Sequence, residues 1–229
     1  MLREILRALR GHDVLSEMIA QIGEMLRTGK WMFEQAAEAL LTEVDWNAMA
    51  PPLYAKDRQI NEMEQKLRER IVTHLSLGHR ADLPACLVLM SVVKDGERLG
   101  DYCKNLYEVV ELLNEPLDGE EYAEYFGELD KDIVALFGYT REAVFNADEE
   151  KARMTWDVEN RIAKLCDSIV DRVAKASLST NRAVCFALIA RHYKRIVAHL
   201  VNIATSSIVP LSDIDYFDER SLRESNANV

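Results

Sequence analysis

Apolar residues recur along most of the chain at steps of three and four positions, and alternation with a period of two is almost absent. The first spacing places apolar side chains on one face of an α-helix, whereas a half-buried strand would need the second. The pattern therefore predicts an all-α protein without β-strands.

Turn-forming residues divide this helical pattern into six predicted helices. Five breaks are rich in Gly, Pro, Asn, Asp or Ser, and they lie at 51–52, 77–80, 114–119, 146–148 and 177–181. The predicted helices cover 13–44, 52–76, 82–113, 120–146, 149–176 and 180–208. Asp82 and either Ser179 or Thr180 are predicted N-caps, and Pro84 suits a first helical turn.

The third and sixth predicted helices have the clearest core-facing seams. The third seam consists of Leu89, Val92, Gly96, Leu99, Cys103, Leu106, Val110 and Leu113, and the sixth of Phe186, Ile189, Tyr193, Ile196, Leu200 and Ile203. Both follow helical steps, and their similarity indicates an internal duplication that aligns Glu97 with Lys194. We therefore predict six long antiparallel helices in two tandem three-helix bundles, at 1–117 and 118–217, before a disordered polar tail at 218–229.

Composition narrows the classes of partner. The 229 residues have a formal net charge of −11, which disfavours nucleic acid and anionic membrane surfaces. Four cysteines lie far apart without CxxC spacing, as expected for reduced, buried thiols. The first eleven residues mix charged and apolar side chains, so we expect no signal peptide, no transmembrane segment and a cytoplasmic protein. Alternatively, this segment is a short basic amphipathic turn that touches a membrane surface.

Two segments in the seam helices resemble each other and a known family. DGERLGDYCKNL at 95–106 and HYKRIVAHLVNI at 192–203 share an Arg-aliphatic pair and, seven residues later, an Asn-aliphatic pair. The first is similar to the pattern ERxGDxxxN, which the PhoU family repeats once in each half of a six-helix chain. The first copy keeps Glu97, Arg98, Gly100, Asp101 and Asn105, and the second keeps Arg195 and Asn202. Over residues 13–217 the chain therefore resembles the PhoU family of phosphate-uptake regulators and diverges in the second repeat.

The resemblance implies a function that composition alone does not. Members of this family catalyse no reaction and couple phosphate availability to a transporter and often to a sensor kinase. The chain is thus expected to be a non-enzymatic regulator of phosphate homeostasis that binds a phosphate transporter component or a sensor histidine kinase. We do not expect the chain to bind nucleic acid, and the formation of a homodimer stays an alternative.

The resemblance also implies one metal site. PhoU relatives use carboxylates of the second and third helices to hold metal clusters, and the matching residues here are Glu97, Asp101 and Asp57, with Glu64 as a further candidate. Glu97 and Asp101 are four residues apart, so they share a helical face, which we expect to lie opposite the seam, toward solvent or a partner. Oxygen ligands suit iron, manganese or magnesium, and zinc is a further alternative at this site. We expect the chain to require no cofactor. The alternative is a solvated polar stripe.

Several positions depart from the family pattern. Asn61 stands where a second anionic donor is expected after Asp57, and Arg161 follows Asp157 in the second half. Lys194 and Ala198 replace the second Glu and Asp, so a second metal cluster is not expected.

Other candidate chemistry is weaker. We interpret His192 and His199, and likewise His74 and His79, as ordinary surface or boundary histidines. HExxH, glycine-rich phosphate loops and GxSxG are absent from the sequence, which disfavours the corresponding enzymes. Residues 213–217 are expected to cap the second bundle or to dock another protein. Two further hypotheses stay open: a metal-dependent helical enzyme that uses Glu97, Asp101 and Asp57, and an adaptor for a different transporter.

Overall fold

The computed structural model describes residues 13–43, 45–146, 148–206, 208–211 and 214, and these residues form helices and no strand. The helices are α1 (Asp13–Leu41), α2 (Trp46–Ser76), α3 (Leu83–Leu112), α4 (Gly119–Phe126), α5 (Leu129–Asn146), α6 (Glu149–Val173) and α7 (Thr180–Thr205). A 3₁₀ turn, Arg80–Asp82, precedes α3. The all-α prediction is confirmed. The predictions for residues 1–11, for most of 213–217 and for the tail at 218–229 lie outside the described residues.

Two predicted helix boundaries are wrong. The break expected at Pro51-Pro52 lies earlier, because α2 begins at Trp46 and includes both prolines. Both prolines lie in the first two turns of α2. A proline has no amide N–H, so only carbonyls close to the start of the helix lose a hydrogen bond. The predicted helix 120–146 is two helices, which separate at Gly127 with φ +58. This left-handed conformation suits glycine and ends a helix.

Side chains at the helix starts confirm some predicted caps and correct one. Ser179 Oγ accepts a hydrogen bond from the Arg182 amide at 3.2 Å, and Pro84 lies in the first turn of α3. Asp82, in contrast, makes no side-chain cap hydrogen bond. Its carboxylate lies 2.7 Å from His74 Nε2 instead. Asp82 therefore stands at the predicted N-cap position, but the expected bond from its carboxylate to the helix amides is wrong, because the carboxylate pairs with buried His74.

The first helix triplet consists of α1, α2 and α3. α1 and α3 run parallel, since Gly96 lies against Met25 and Gly29 lies against Leu99. α2 runs antiparallel to α3, since Gly100 lies against Ile60 whereas the later residue Lys104 contacts the earlier residue Asp57. The absence of side chains at Gly96 and Gly100 allows these close approaches.

The second triplet, α5, α6 and α7, repeats this arrangement, and the two triplets meet through α1 with α5 and α3 with α7. The α3–α7 pair is antiparallel, because Asn181 near the start of α7 donates to the Leu112 carbonyl at the end of α3, at 2.6 Å. The core-facing seams of α3 and α7 are confirmed, and Leu99 and Ile196 are fully buried.

Most buried apolar side chains of both triplets form one continuous core, and Ala143, Ala152 and Ala204 form a small separate cluster. The proposed division at residue 117 therefore stays a prediction. In the described part of the chain, no helix combines the length and the apolar character needed to cross a membrane.

Candidate functional site

A group of charged side chains lies between α2 and α3, and we call Asp57, Glu97, Asp101 and Lys104 the charge cluster. Lys104 Nζ donates to Asp57 Oδ2 at 3.1 Å and to Asp101 Oδ1 at 3.1 Å. The helices thus bring together two of the predicted metal ligands, but a lysine from the same face of α3 lies between them. Lys104 was not among the predicted site residues, although it lies only three residues after Asp101 in the sequence.

Glu97 lies one turn before Asp101 and is only partly exposed. Burial raises the pKa of its carboxyl, and the Asp101 carboxylate beside it raises this pKa further. The Arg98 guanidinium lies 3.6 Å from Glu97 and 3.3 Å from Asp101 and partly offsets this effect. Glu64, the further candidate, pairs with Arg68 at 2.8 Å. Each carboxylate of this face therefore has a cation of the chain nearby.

The face with Glu97 and Asp101 was expected to lie toward solvent or a partner, but α2 half covers it. In a three-helix bundle each helix contacts two neighbours, so a face opposite one seam can still lie against the second neighbour. One seam alone could not reveal this second contact.

The residues present do not fit a metal cluster on this face. Burial lowers the pKa of Lys104, but its hydrogen bonds to Asp57 and Asp101 outweigh this effect and raise the pKa overall, so the ammonium is charged at neutral pH. That charge lies where an ion shared by the two carboxylates would lie, and it would repel a dication. Two buried oxygens, Asp57 Oδ1 and Asn61 Oδ1, have no hydrogen-bond partner. The metal site at Glu97, Asp101 and Asp57 stays a prediction, and the Lys104 ammonium argues against it.

The second triplet has a comparable ion pair at a different sequence position. Lys194, which aligns with Glu97, lies with its Nζ 2.6 Å and 2.7 Å from the two carboxylate oxygens of Asp167 on α6. Arg161 contacts Asp132 of α5 at 2.7 Å. In both triplets, therefore, a lysine of the last helix, α3 or α7, pairs with an aspartate of the helix before it, α2 or α6.

A buried acid links the two triplets. Asp95 of α3 is 1% exposed, and its Oδ1 lies 2.8 Å from His199 Nδ1 and 3.4 Å from Asn202 Nδ2 of α7. The Tyr102 ring stacks on His199 at a centroid distance of 5.5 Å and lies 6.1 Å from His192. Burial, and then the nearby Arg191, lowers the pKa of His192.

The interpretation of His199 as an ordinary boundary histidine is wrong, because a carboxylate from the other triplet pairs with it. One weak signal was available: Asp95 precedes Gly96 of the seam, and a charged side chain that is buried there needs a polar partner. The sequence did not indicate which residue that partner would be.

His74 also departs from its predicted role. It is buried and lies 2.7 Å from Asp82, whereas His79 is exposed and stacks on His74. The four cysteines are buried and free, as predicted.

Comparison with known proteins identifies the family. The family model described as the PhoU domain matches residues 22–110 and again residues 127–207. The chain belongs to the PhoU family. The two matches fall one on each triplet, so the PhoU resemblance of the sequence is confirmed.

PhoU relatives also match the chain over most of its length. "Phosphate-specific transport system accessory protein PhoU homolog 2" of Mycobacterium tuberculosis is 26% identical over 200 residues, which cover 84% of this chain and 92% of the relative. The protein of the same description from Mycobacterium bovis gives the same values. The crystal structure of the phosphate transport system regulatory protein PhoU from Streptococcus pneumoniae has the same fold. It aligns with a TM-score of 0.68 and 21% identity over 89% of this chain and 95% of that chain.

Proposed function

We propose that this chain regulates phosphate transport by binding a partner protein at the cytoplasmic face of a phosphate transporter, or a sensor histidine kinase coupled to it. The observation that supports this proposal is the PhoU match in both helix triplets. The relatives described as accessory proteins of a phosphate-specific transport system support the same role.

The chemistry of the described side chains favours binding over catalysis. Within the charge cluster, Lys104 neutralises Asp57 and Asp101 and is itself held by them. The cysteines are poor nucleophiles, because burial raises the pKa of the Cys166 thiol to about 12 and also raises the pKa of Cys103. We therefore propose that the chain is not an enzyme.

One end of the first triplet exposes several large apolar side chains. Val72 at the end of α2, Leu77 in the following turn, and Leu83 and Leu87 in α3 are all exposed. Exposed apolar side chains grouped in this way are common at protein–protein contacts. We propose that this end, called the α2–α3 end, contacts the partner.

Deletion of the gene tests the function. We expect phosphate uptake and the expression of phosphate-starvation genes to become uncoupled from external phosphate, and the wild-type chain to restore the coupling. If both stay normal in the deletion strain, the proposed function is wrong. Capture of partners with the wild-type chain should recover phosphate-transport or sensor-kinase components; a different transport system among the partners would instead favour the adaptor hypothesis.

Two matched substitutions test the proposed contact surface. Leu77→Glu places a charge in the α2–α3 end, whereas Leu112→Glu places the same charge on an exposed leucine at the opposite end of α3. We expect Leu77→Glu to lose complementation and Leu112→Glu to keep it, with both variants folded by circular dichroism. Equal complementation by the two variants would exclude this end as the contact surface.

A further inference from the structure

We propose that His74, His79 and Asp82 form a binding site for one divalent transition-metal ion at the turn between α2 and α3. One potential ligand atom from each residue lies within 4.8 Å of the other two. This site is separate from the charge cluster, and the inference is independent of the proposed function.

The backbone of the turn brings these three residues together. Gly78 adopts φ +97, a conformation that favours glycine and that reverses the chain after α2. The following 3₁₀ turn is closed by hydrogen bonds from the Arg80 amide to the Gly78 carbonyl at 2.8 Å and from the Asp82 amide to the His79 carbonyl at 3.1 Å. Asp82 thus comes back toward His74, eight residues earlier.

Two of the ligands are already in contact. His74 and Asp82 are both buried, and His74 Nε2 lies 2.7 Å from Asp82 Oδ2. Because Asp82 does not cap α3, its carboxylate is directed at the histidine rather than at the helix amides. A buried imidazole and a buried carboxylate fixed by a tight turn need little rearrangement to bind an ion.

The third ligand must move. The rings of His74 and His79 are stacked, with centroids 4.2 Å apart and planes 4° from parallel. Imidazole lone pairs lie in the ring plane, so two parallel stacked rings cannot direct them at one ion. His79 is exposed and can change rotamer to turn a ring nitrogen toward the His74–Asp82 pair. The bound ligand atoms would then be roughly 3.4 Å apart, as bonds of about 2.0–2.1 Å in tetrahedral geometry require, so the 2.7 Å contact between His74 and Asp82 would also lengthen.

The ligand types select the ion. Two imidazole nitrogens and one carboxylate oxygen suit Zn²⁺, Co²⁺, Ni²⁺ and Cu²⁺, whereas Mg²⁺ and Ca²⁺ prefer sites made of oxygens. Three protein ligands, one of them on the surface, leave a fourth position for water. A bound ion would tie the end of α2 to the start of α3.

Titration of the untagged full-length chain with Zn²⁺, followed by calorimetry, tests the site. We expect one Zn²⁺ per chain, and a Tm increase of about 5–10 °C when zinc is present at about 100 times its Kd. Co²⁺ should give the visible absorption of a low-coordinate site, and Mg²⁺ should leave the Tm unchanged.

Variants of the turn assign the ligands. His79→Ala should keep the metal-free Tm, since His79 is exposed, and should weaken Zn²⁺ binding by more than about tenfold, because loss of even an outer partner of a ligand costs that much. Arg80→Ala, the exposed neighbour, should bind Zn²⁺ like the wild type. The proposal is overturned if the wild-type chain binds no zinc, if His79→Ala binds zinc equally well, or if Arg80→Ala loses zinc to the same extent.

Discussion

The charge cluster predicts a specific effect of removing the Lys104 ammonium. Lys104→Met keeps much of the aliphatic side chain but leaves the Asp57 and Asp101 carboxylates without the cation that lies 3.1 Å from each. Asp57 is almost buried, so its carboxylate cannot gain full hydration in compensation. We expect the variant to fold and to be less stable.

The exposure of the pair sets the magnitude. Removal of one partner from a fully buried ion pair costs about 3–5 kcal/mol, and an exposed pair contributes about 0–1 kcal/mol. The side chains of Lys104 and Asp57 are 21% and 10% exposed, so the pair lies between these limits. We expect a loss of about 2–3 kcal/mol in the free energy of unfolding, which lowers the Tm by about 5–10 °C for a chain of this size.

Urea denaturation followed by circular dichroism measures this loss. Lys66→Met is the matched control, because Lys66 pairs with Glu62 in the same helix and both side chains are 65% exposed. Its effect should stay within about 0.5 kcal/mol. In the double variant Asp57→Asn with Lys104→Met, much of the lost stability should return, since the uncompensated carboxylate is removed as well.

The same variants decide between an ion pair and a metal site. We expect Mn²⁺ to leave the Tm of the wild-type chain unchanged and to raise the Tm of Lys104→Met, in which the carboxylates are free. The ion-pair interpretation is refuted if Lys104→Met lowers the free energy of unfolding no more than Lys66→Met does. It is also refuted if the wild-type chain binds Mn²⁺ in a manner that Asp57→Asn abolishes.

Three further predictions concern the turns and the interface. Gly127→Ala should lower the free energy of unfolding by about 1 kcal/mol in urea denaturation, because φ is +58 at this position although the added Cβ meets no atom within 4 Å. Gly138→Ala, within helix α5 and equally open, should raise the free energy of unfolding by about 0.5–1 kcal/mol. Because the pKa of His192 is lowered in the folded chain, its contribution to stability is present above the unfolded pKa and is lost as the pH falls through the folded pKa. The free energy of unfolding, measured by denaturation between about pH 7 and pH 5, should therefore fall less for His192→Gln than for the wild type. His199→Ala should cost about 2–4 kcal/mol, because buried Asp95 loses its imidazole partner, and hydrogen exchange should increase in α3 and α7; unchanged exchange would show that the pair does not hold the triplets together.

The seams were predictable because helical burial depends on local spacing. Leu99 and Ile196 lie in patterns that repeat every three or four residues, and such patterns place an aliphatic face without knowledge of the neighbour. The helix signatures in the two halves were equally local, so the family could be identified from them.

The partners of the polar residues were not predictable in the same way. Lys104 and Asp57 are 47 residues apart, and Asp95 and His199 are 104 residues apart, so each pairing depends on how the helices are placed against one another. The predicted metal ligands therefore came together, but with a lysine between them. The helix break predicted at Pro51-Pro52 was misplaced, because a helix tolerates two prolines near its start.

Two contacts in the α3–α7 interface are equivalent under the duplication but use different residue types. Alignment of Glu97 with Lys194 places Asp95 opposite the position of His192, and Tyr102 opposite that of His199. Asp95 meets His199, and Tyr102 lies between His199 and His192, so the Asp95–His199 and Tyr102–His192 contacts are counterparts that adjoin each other. In an ancestor of one repeat that paired with itself, symmetry would force both contacts to use the same residue pair. Fusion into a single polypeptide removes that constraint, and each contact can then evolve its own chemistry while the shared aliphatic seam is kept.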